Sequence, residues 1–182
     1  MKINNYYKQK QIIARVDRAE NVIGKIEKWE AHRKGILHRA LTVALLYKDF
    51  FILQHRKHPA FNAVFDITSS SHQIFVREKL QDTLEATYLC LKREWNLEKK
   101  DLINEPKNLG TVYYEATDPK SIYTEHETCE ILIAEVKKLP SPNFDFAYGF
   151  SLVKKKELLD KKSRIYQNLA PWVIETIERN IL

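Results

Sequence analysis

The alternation of apolar and polar residues predicts two strand pairs in the first third of the chain. Residues 11–29 contain two β-rich runs separated by the turn-like segment DRAEN, a pattern that favours a hairpin. Residues 38–56 repeat this pattern, with a polar tip at Lys48 and Asp49 between two apolar runs. We therefore expect two antiparallel strand units, the second beginning at His38.

A helical period replaces the strand period after the serine-rich segment ITSSSH. The apolar residues there recur at spacings of three and four, which is typical of an amphipathic helix: Leu80, Leu84, Tyr88, Leu91 and Trp95. Residues 110–117 and 127–136 then read as strands, and Pro171 begins a helix that closes the chain. Strand runs around one long helix favour an α+β fold with a mixed sheet covered by helices.

Neither an internal repeat nor a low-complexity linker divides the 182 residues, so we predict one domain over residues 1–182. Residues 1–11 are expected to form a flexible N-terminus. The first residues lack the apolar core of a signal peptide, and no stretch of about 18 apolar residues could span a bilayer. Cys90 lies in the helical pattern and Cys129 in a strand pattern, which predicts buried free thiols in a reducing cytoplasm.

The net charge of +6 favours binding of phosphates, whether in nucleic acid, acidic lipid or a small diphosphate. The densest basic runs, residues 154–156 and 161–162, flank Leu158 and Leu159, as on the solvated face of a short amphipathic helix. Nucleic-acid binding would rest on charge alone, and we expect none.

Candidate metal ligands are spread along the chain: His32, His38, His72, Glu125 and Glu127. Because side chains of a strand alternate between its faces, Glu125 and Glu127 project to the same side. Two neighbouring carboxylates are costly without a cation between them. Imidazoles and carboxylates together suit Mn²⁺, Zn²⁺ or Fe²⁺ better than Mg²⁺ or Ca²⁺. The alternative is that the two glutamates keep an edge strand soluble.

These landmarks and their order resemble the type I isopentenyl-diphosphate isomerases, members of the Nudix superfamily. The resemblance runs over residues 12–180 and is carried by KWEAHRKGILHRALTV, ITSSSH, ATDPKSIYTEHETCEIL and APWVIETI. It implies a Nudix-type mixed β-sheet sandwiched by helices. It also implies conversion of isopentenyl diphosphate to dimethylallyl diphosphate by a 1,3-allylic proton shift, in isoprenoid biosynthesis.

The resemblance carries over residue by residue to the expected site. It implies that the three histidines with Glu125 and Glu127 bind Mn²⁺ or Zn²⁺, and that Glu94 helps to hold Mg²⁺ on the substrate diphosphate. Glu127 and Tyr114 are the expected proton donors, and Trp172 the residue that stabilises the cation. By pattern, the candidates for binding the diphosphate are Lys28, Arg56 and Lys57. Without the resemblance, Trp172 reads equally well as a helix anchor in the core.

The chain departs from the family on the substrate side of the expected site. Ser70 stands where the family has its reactive cysteine, and a serine hydroxyl stays protonated at neutral pH unless it is activated. Residues 62–65 replace a Pro-Gly-x-Trp segment, and Leu89 and Cys90 replace two helix arginines. We still expect Ser70 to be catalytic, as a proton relay.

Two other functions stay open at this point. A Nudix-type diphosphate hydrolase would share the scaffold, but LEATYLCLKREWNL lacks the paired glutamates that such a site needs. A catalytically weak homologue that keeps the metal is the other possibility. The expected partner is a small prenyl diphosphate, and the expected state is a monomer or weak dimer.

Overall fold

The computed structural model describes residues 5–182, which form eleven strands and five α-helices. The strands are β1 Ile12–Val16, β2 Val22–Glu27, β3 His38–Tyr47, β4 Phe50–Arg56, β5 Phe65–Asp66, β6 Ser69–Ser71, β7 Phe75–Val76, β8 Lys79–Leu80, β9 Lys107–Thr117, β10 Thr124–Glu135 and β11 Ala147–Lys154. The helices are α1 Asn5–Lys8, α2 Lys28–Lys34, α3 Thr83–Trp95, α4 Lys155–Leu158 and α5 Pro171–Glu178.

Strand β3 is the centre of a mixed sheet. On one side it pairs in parallel with β10, which in turn pairs antiparallel with β9. On the other side it pairs antiparallel with β1, β6 and β4 in succession, and β11 lies beyond β4. The two predicted strand units are thus confirmed as β1–β2 and β3–β4.

The two faces of β3 bury different helices. Ala40 and Ala44 belong to the apolar cluster that includes Trp172 and Val173 of α5. Leu41 and its alternate neighbours belong to a second cluster with the apolar face of α3. The period-two pattern of the strand therefore supports a helical layer on each face, and the predicted α+β fold with a mixed sheet between helices is confirmed.

Helix ends follow local chemistry. The Asp82 side chain accepts from the Glu85 N–H and caps α3, whose last turn ends at Asn96 in the left-handed conformation. Pro171 occupies the first turn of α5, as predicted. The basic run at α4 also matches its prediction, because Leu158 is fully buried while the neighbouring lysines face solvent.

The N-terminal segment differs from the expected flexible terminus. Residues 1–4 of that segment lie outside the described residues, but residues 5–8 form the short helix α1. The Tyr7 ring is buried and packs edge-on against His58, with ring centroids 4.8 Å apart, and against Phe146 at 5.7 Å. Aromatic packing thus orders a segment whose polar composition suggested flexibility.

Cys90 and Cys129 are buried free thiols, as predicted. Burial, the largest influence, raises the pKa of Cys90 to about 12, so this thiol has little nucleophilic character at neutral pH. Among residues 5–182, no helix has the length and apolar character needed to cross a membrane.

We predict one cooperative unfolding transition. We also predict that the free energy of unfolding depends strongly on the buried side chains of β10. Ile131→Ala should lower the free energy of unfolding by about 2–5 kcal/mol, because Ile131 is fully buried between strands and α5. Ile122→Ala, at a side chain that is 70% exposed, should change it by less than about 0.5 kcal/mol. Urea denaturation followed by circular dichroism measures both. Two separate transitions would contradict a single domain.

Candidate metal centre and catalytic pocket

Helix α2 positions Lys28 and His32 one turn apart on its buried side. The Glu27 carboxylate caps the helix by accepting from the N–H groups of Trp29 and Glu30. The helix ends at Gly35, whose φ of 59° is the left-handed conformation that glycine adopts without strain. Two short-range signals thus fix both ends of the element that carries the first histidine.

Strand register brings the second histidine to the carboxylates. Glu127 of β10 lies opposite His38 of β3 and opposite Tyr114 of β9, so the three side chains share one face of three adjacent strands. Glu125 lies on the same face, two residues before Glu127. His126, between them, projects to the other face, where its ring contacts the Gly35 carbonyl and the Tyr113 hydroxyl.

All five predicted metal-ligand residues converge at this point. Their candidate ligand atoms lie within 4.8 Å of one another: His32, His38, His72, Glu125 and Glu127. His32 Nε2 is 3.1 Å from the Glu125 carboxylate, while His38 Nε2 and His72 Nε2 lie 3.2 Å and 3.0 Å from Glu127 Oε1. Elements far apart in sequence therefore form one His₃Glu₂ cluster.

The donor set fits a divalent transition metal. His32 Nδ1 lies 2.6 Å from the Lys28 carbonyl, and His38 Nδ1 lies 2.7 Å from the Ile36 carbonyl. A carbonyl only accepts, so both Nδ1 atoms carry the proton and both Nε2 atoms turn their lone pairs toward the carboxylates. These two buried Nε2 atoms have no hydrogen-bond partner, a costly state that a coordinated ion would remove.

The electrostatics favour the same states for Glu127 and His72. Burial raises the pKa of Glu127, but the adjacent His38 imidazole outweighs it and brings this pKa down to about 2. For His32, burial lowers the pKa, but the Glu125 charge outweighs it and raises the pKa, so an ion would have to displace a proton there. Burial also lowers the pKa of His72 well below its ordinary value, and the neighbouring imidazoles His38 and His32 lower it further. Ionised carboxylate and neutral imidazole are the forms that bind metals.

Tyr114 touches this cluster directly. Its hydroxyl donates a short hydrogen bond to Glu127 Oε2, the oxygen that faces away from His38 and His72. Burial, followed by the charge of Glu127, raises the pKa of Tyr114 well above its ordinary value, so the phenol keeps its proton. The pair therefore places a protonated hydroxyl beside a carboxylate of the candidate metal centre.

Ser70 and Trp172 lie on another wall of the same pocket and share one partner. The Ser70 hydroxyl donates to Asp66 Oδ2 at 2.8 Å, and the Trp172 indole N–H donates to Asp66 Oδ1 at 2.9 Å. The start of α5 is held by a hydrogen bond from Ala170 N–H to the Phe65 carbonyl. Asp66 had no role in the sequence analysis, because an isolated aspartate before a serine-rich loop has no recognisable motif.

Glu94 lines the pocket but is not part of the five-residue cluster. Its Oε1 accepts from Arg93 at 2.8 Å, and its Oε2 accepts from Ser69 at 2.9 Å and Gln54 at 3.1 Å. Both oxygens are therefore engaged by protein donors. A role in holding Mg²⁺ on a diphosphate stays a prediction.

Three cations line the pocket, and only two of them were predicted. Lys28 and Arg56 do so, whereas Lys57 points elsewhere and donates to the Phe144 carbonyl. The third cation, Arg93, was missed, although its spacing of three from Cys90 would have placed both on one helix face. Burial, the largest influence, lowers the pKa of Lys28 to about 8. The Nε–H groups of both arginines are buried without a partner, which suits an anionic ligand.

The cavity between these side chains is small and partly open. It measures about 30 Å³, below the roughly 300–1,000 Å³ that commonly encloses a small molecule. Four side chains line both this cavity and an adjoining groove of about 320 Å³: Tyr6, Ser71, His72 and Arg93. The Arg93 guanidinium lies 4.2 Å from the Tyr6 ring centroid. Tyr6 and Tyr7 were missed as pocket residues because the terminus was expected to be flexible.

Comparison with known proteins supports this assignment of the fold. A human protein, isopentenyl-diphosphate delta-isomerase 2, is 25% identical over 180 residues, which cover 90% of this chain and 79% of that protein. The crystal structure of DR0079 from Deinococcus radiodurans superposes with a TM-score of 0.66 at 16% identity, covering 93% of this chain and 98% of that one. No protein-family profile matches the chain.

A second structural neighbour is an Ap4A hydrolase from Caenorhabditis elegans, with a TM-score of 0.51 at 12% identity, covering 79% of this chain and 96% of that one. The chain has a Nudix-type fold. Structural likeness at such low identity establishes the fold and leaves the reaction to be argued from the site.

We predict that the purified protein takes up about one Mn²⁺ or Zn²⁺ ion per chain and that His72→Ala loses it, because one of three converging imidazoles is removed. His126→Ala is the matched control. It lies on the same strand as the carboxylates but on the opposite face, and it should keep the ion. Elemental analysis after dialysis measures the metal content. Equal loss in both variants, or no uptake by the wild type, would contradict the site.

Proposed function

We propose that the protein is a divalent-metal-dependent isomerase that converts isopentenyl diphosphate to dimethylallyl diphosphate by 1,3-allylic proton transfer. One observation carries the proposal: a single pocket is lined by three members of the His₃Glu₂ cluster, by cations, and by Tyr114, Ser70 and Trp172. The cluster members in its lining are His72, Glu125 and Glu127. The similarity to the human isopentenyl-diphosphate isomerase supports it over most of the chain.

Proton delivery is assigned to the Tyr114–Glu127 side. The 1,3-allylic shift needs a proton donor close to the terminal alkene carbon and a second group that removes a proton from the carbon on the other side of the cationic centre. Tyr114 holds such a proton on a hydrogen bond to Glu127. A divalent ion bound by the five ligands would supply positive charge that offsets the two carboxylates and increases the acidity of groups beside it.

The positive centre formed on the alkene needs an electron-rich neighbour. Trp172 is 2% exposed and its ring lies 6.0 Å from that of Tyr114. The Arg56 guanidinium lies over the indole at 4.8 Å, so one cation already uses a face of this ring. In the proposed complex the tertiary carbocation-like centre meets the opposite face, where the indole quadrupole stabilises it.

The diphosphate would lie against Lys28, Arg56 and Arg93. Their buried charges and unpartnered N–H groups are suited to phosphate oxygens. In the family that the chain resembles, Mg²⁺ accompanies the diphosphate and Glu94 is the matching ligand. Binding of this kind here would move Arg93 off Glu94 and Tyr6, and so widen the small cavity toward the adjoining groove.

Hydrolysis of a diphosphate has less support. A Nudix-type hydrolase would need several free carboxylates on α3 to hold Mg²⁺. This helix carries two glutamates, Glu85 in its first turn and Glu94 near its end, and protein donors occupy both oxygens of Glu94. The metal cluster instead lies at the β3–β10 pair.

One assay separates the candidates. The manganese- or zinc-loaded protein is incubated with isopentenyl diphosphate and Mg²⁺ in D₂O, and both the deuterium content of the product and the released phosphate are measured by NMR. Deuterated dimethylallyl diphosphate is the expected result. Phosphate release would indicate a hydrolase, and unchanged substrate would indicate a metal-binding homologue without this activity.

Tyr114→Phe should reduce turnover by about a hundredfold to ten-thousandfold, because it removes the hydroxyl proton that Tyr114 donates to Glu127. Tyr113→Phe is the control: this neighbouring hydroxyl lies on the opposite face, beside His126, and its loss should leave turnover within about threefold of the wild type. Initial rates at saturating substrate decide the comparison. Similar rates for the two variants would remove Tyr114 from the reaction.

A further inference from the structure

Asp66 is a buried carboxylate with no part in the proton transfers proposed above. It is 0% exposed and lies on β5, at the side of the pocket away from the metal ligands. Its Oδ2 accepts from Arg56 Nη1 and Ser70 Oγ, each at 2.8 Å. Its Oδ1 accepts from Trp172 Nε1 at 2.9 Å and from the Ile67 N–H at 2.8 Å. Four donors fill the hydrogen-bonding capacity of the carboxylate.

Three of these donors are pocket residues on separate elements. Arg56 ends β4, Ser70 lies in β6, and Trp172 begins α5, which is 106 residues from Asp66 in sequence. If Asp66 served only to neutralise Arg56, it would need no partner besides the guanidinium. Here the same carboxylate also binds the hydroxyl and the indole, so it fixes the positions of all three relative to one another.

The carboxylate also sets the direction of the Ser70 hydroxyl. An ionised carboxylate can only accept, so the single proton of Ser70 points to Asp66. The Thr42 hydroxyl lies 2.8 Å from Ser70 Oγ and must then donate to it. Thr42 can accept in turn from the Cys129 thiol at 3.3 Å. Ser70 is thus left with an oxygen lone pair and no proton to offer the pocket.

We propose that Asp66 is a positioning residue of this site. It holds Ser70 as a hydrogen-bond acceptor toward the substrate and fixes Arg56 and the Trp172 indole beside it. The catalytic consequence rests on the proposed isomerase function: Ser70 lies on the side that receives a proton, while Tyr114 and Glu127 donate one. The positioning itself does not depend on which reaction the site performs.

The first test is spectroscopic and needs no substrate. The chain has three tryptophans. Trp172 donates to Asp66, whereas Trp29 donates to the Tyr7 carbonyl and Trp95 to Ser69 Oγ. In ¹H–¹⁵N spectra, Asp66→Asn should move the Trp172 indole N–H signal upfield, because a neutral amide accepts more weakly than a carboxylate. The other two indole signals should stay in place. An unmoved Trp172 signal would overturn the proposal.

The second test is a kinetic cycle with Ser70. Asp66→Asn should lower kcat about a hundredfold, the loss expected when a reacting group is misplaced. In the Ser70→Ala background the same change should lower kcat by no more than about tenfold, because the oriented hydroxyl is gone and only the positioning of Arg56 and Trp172 is still lost. A purely structural carboxylate would give equal losses in both backgrounds, and that result would contradict the proposal.

Asp66→Asn leaves Arg56 as an unpaired buried cation and could prevent folding. In that case the double variant Asp66→Asn/Arg56→Gln is compared with Arg56→Gln alone. Each is made both in the wild-type and in the Ser70→Ala background, and the Trp172 indole signal and kcat are measured. Failure of the proposed function is recognised separately, by a wild type that forms no dimethylallyl diphosphate. The proposed role of Asp66 in catalysis is then rejected. The Trp172 signal still tests, without any reaction, whether Asp66 positions the indole.

Discussion

The constraint on which the site depends is the burial of two carboxylates on one face of one strand. Glu125 and Glu127 are each 4% exposed, so neither can be stabilised by water. Their repulsion must be offset by positive charge from the protein or from an ion. The parallel β3–β10 pairing, the cap of α2 and the loop after β6 each deliver an imidazole to this point. The fold of the sheet therefore places three imidazoles, and with them a possible cation site, beside the two carboxylates.

On the opposite side of the pocket, positive charges need compensation. Lys28 and Arg56 are buried cations and Arg93 is a partly buried one. They are balanced by Asp66, by Glu94 and by aromatic rings. The result is a small and highly charged cavity, in which each charged group restrains another. Such preorganisation favours stabilising a charged transition state over binding an apolar ligand. It also explains why so little free volume is found there.

Three positions that depart from the pattern of the isomerases that the chain resembles have defined surroundings in the structure. Ala63 stands where the family has glycine, yet it adopts the left-handed region with φ of 63°, which costs about 1 kcal/mol for a residue with a Cβ. Cys90 stands where an arginine is expected, and Arg93 reaches to 3.3 Å from its sulfur. Ser70 replaces the thiol, but Asp66 and Thr42 give the hydroxyl a defined direction.

The sequence by itself determined the strand units, the long helix and the terminal helix, because hydrophobic period and helix-starting residues are local signals. It also predicted the candidate metal ligands, the two glutamates from their alternation on a strand and the three histidines with the help of the family resemblance. Only the tertiary structure decided which distant side chains meet. Asp66 gains its role from donors up to 106 positions away, Arg93 from its contact with Tyr6, and Lys57 loses its expected place because its ammonium turns to the Phe144 carbonyl. Such contacts depend on how the layers pack, and no local pattern encodes them.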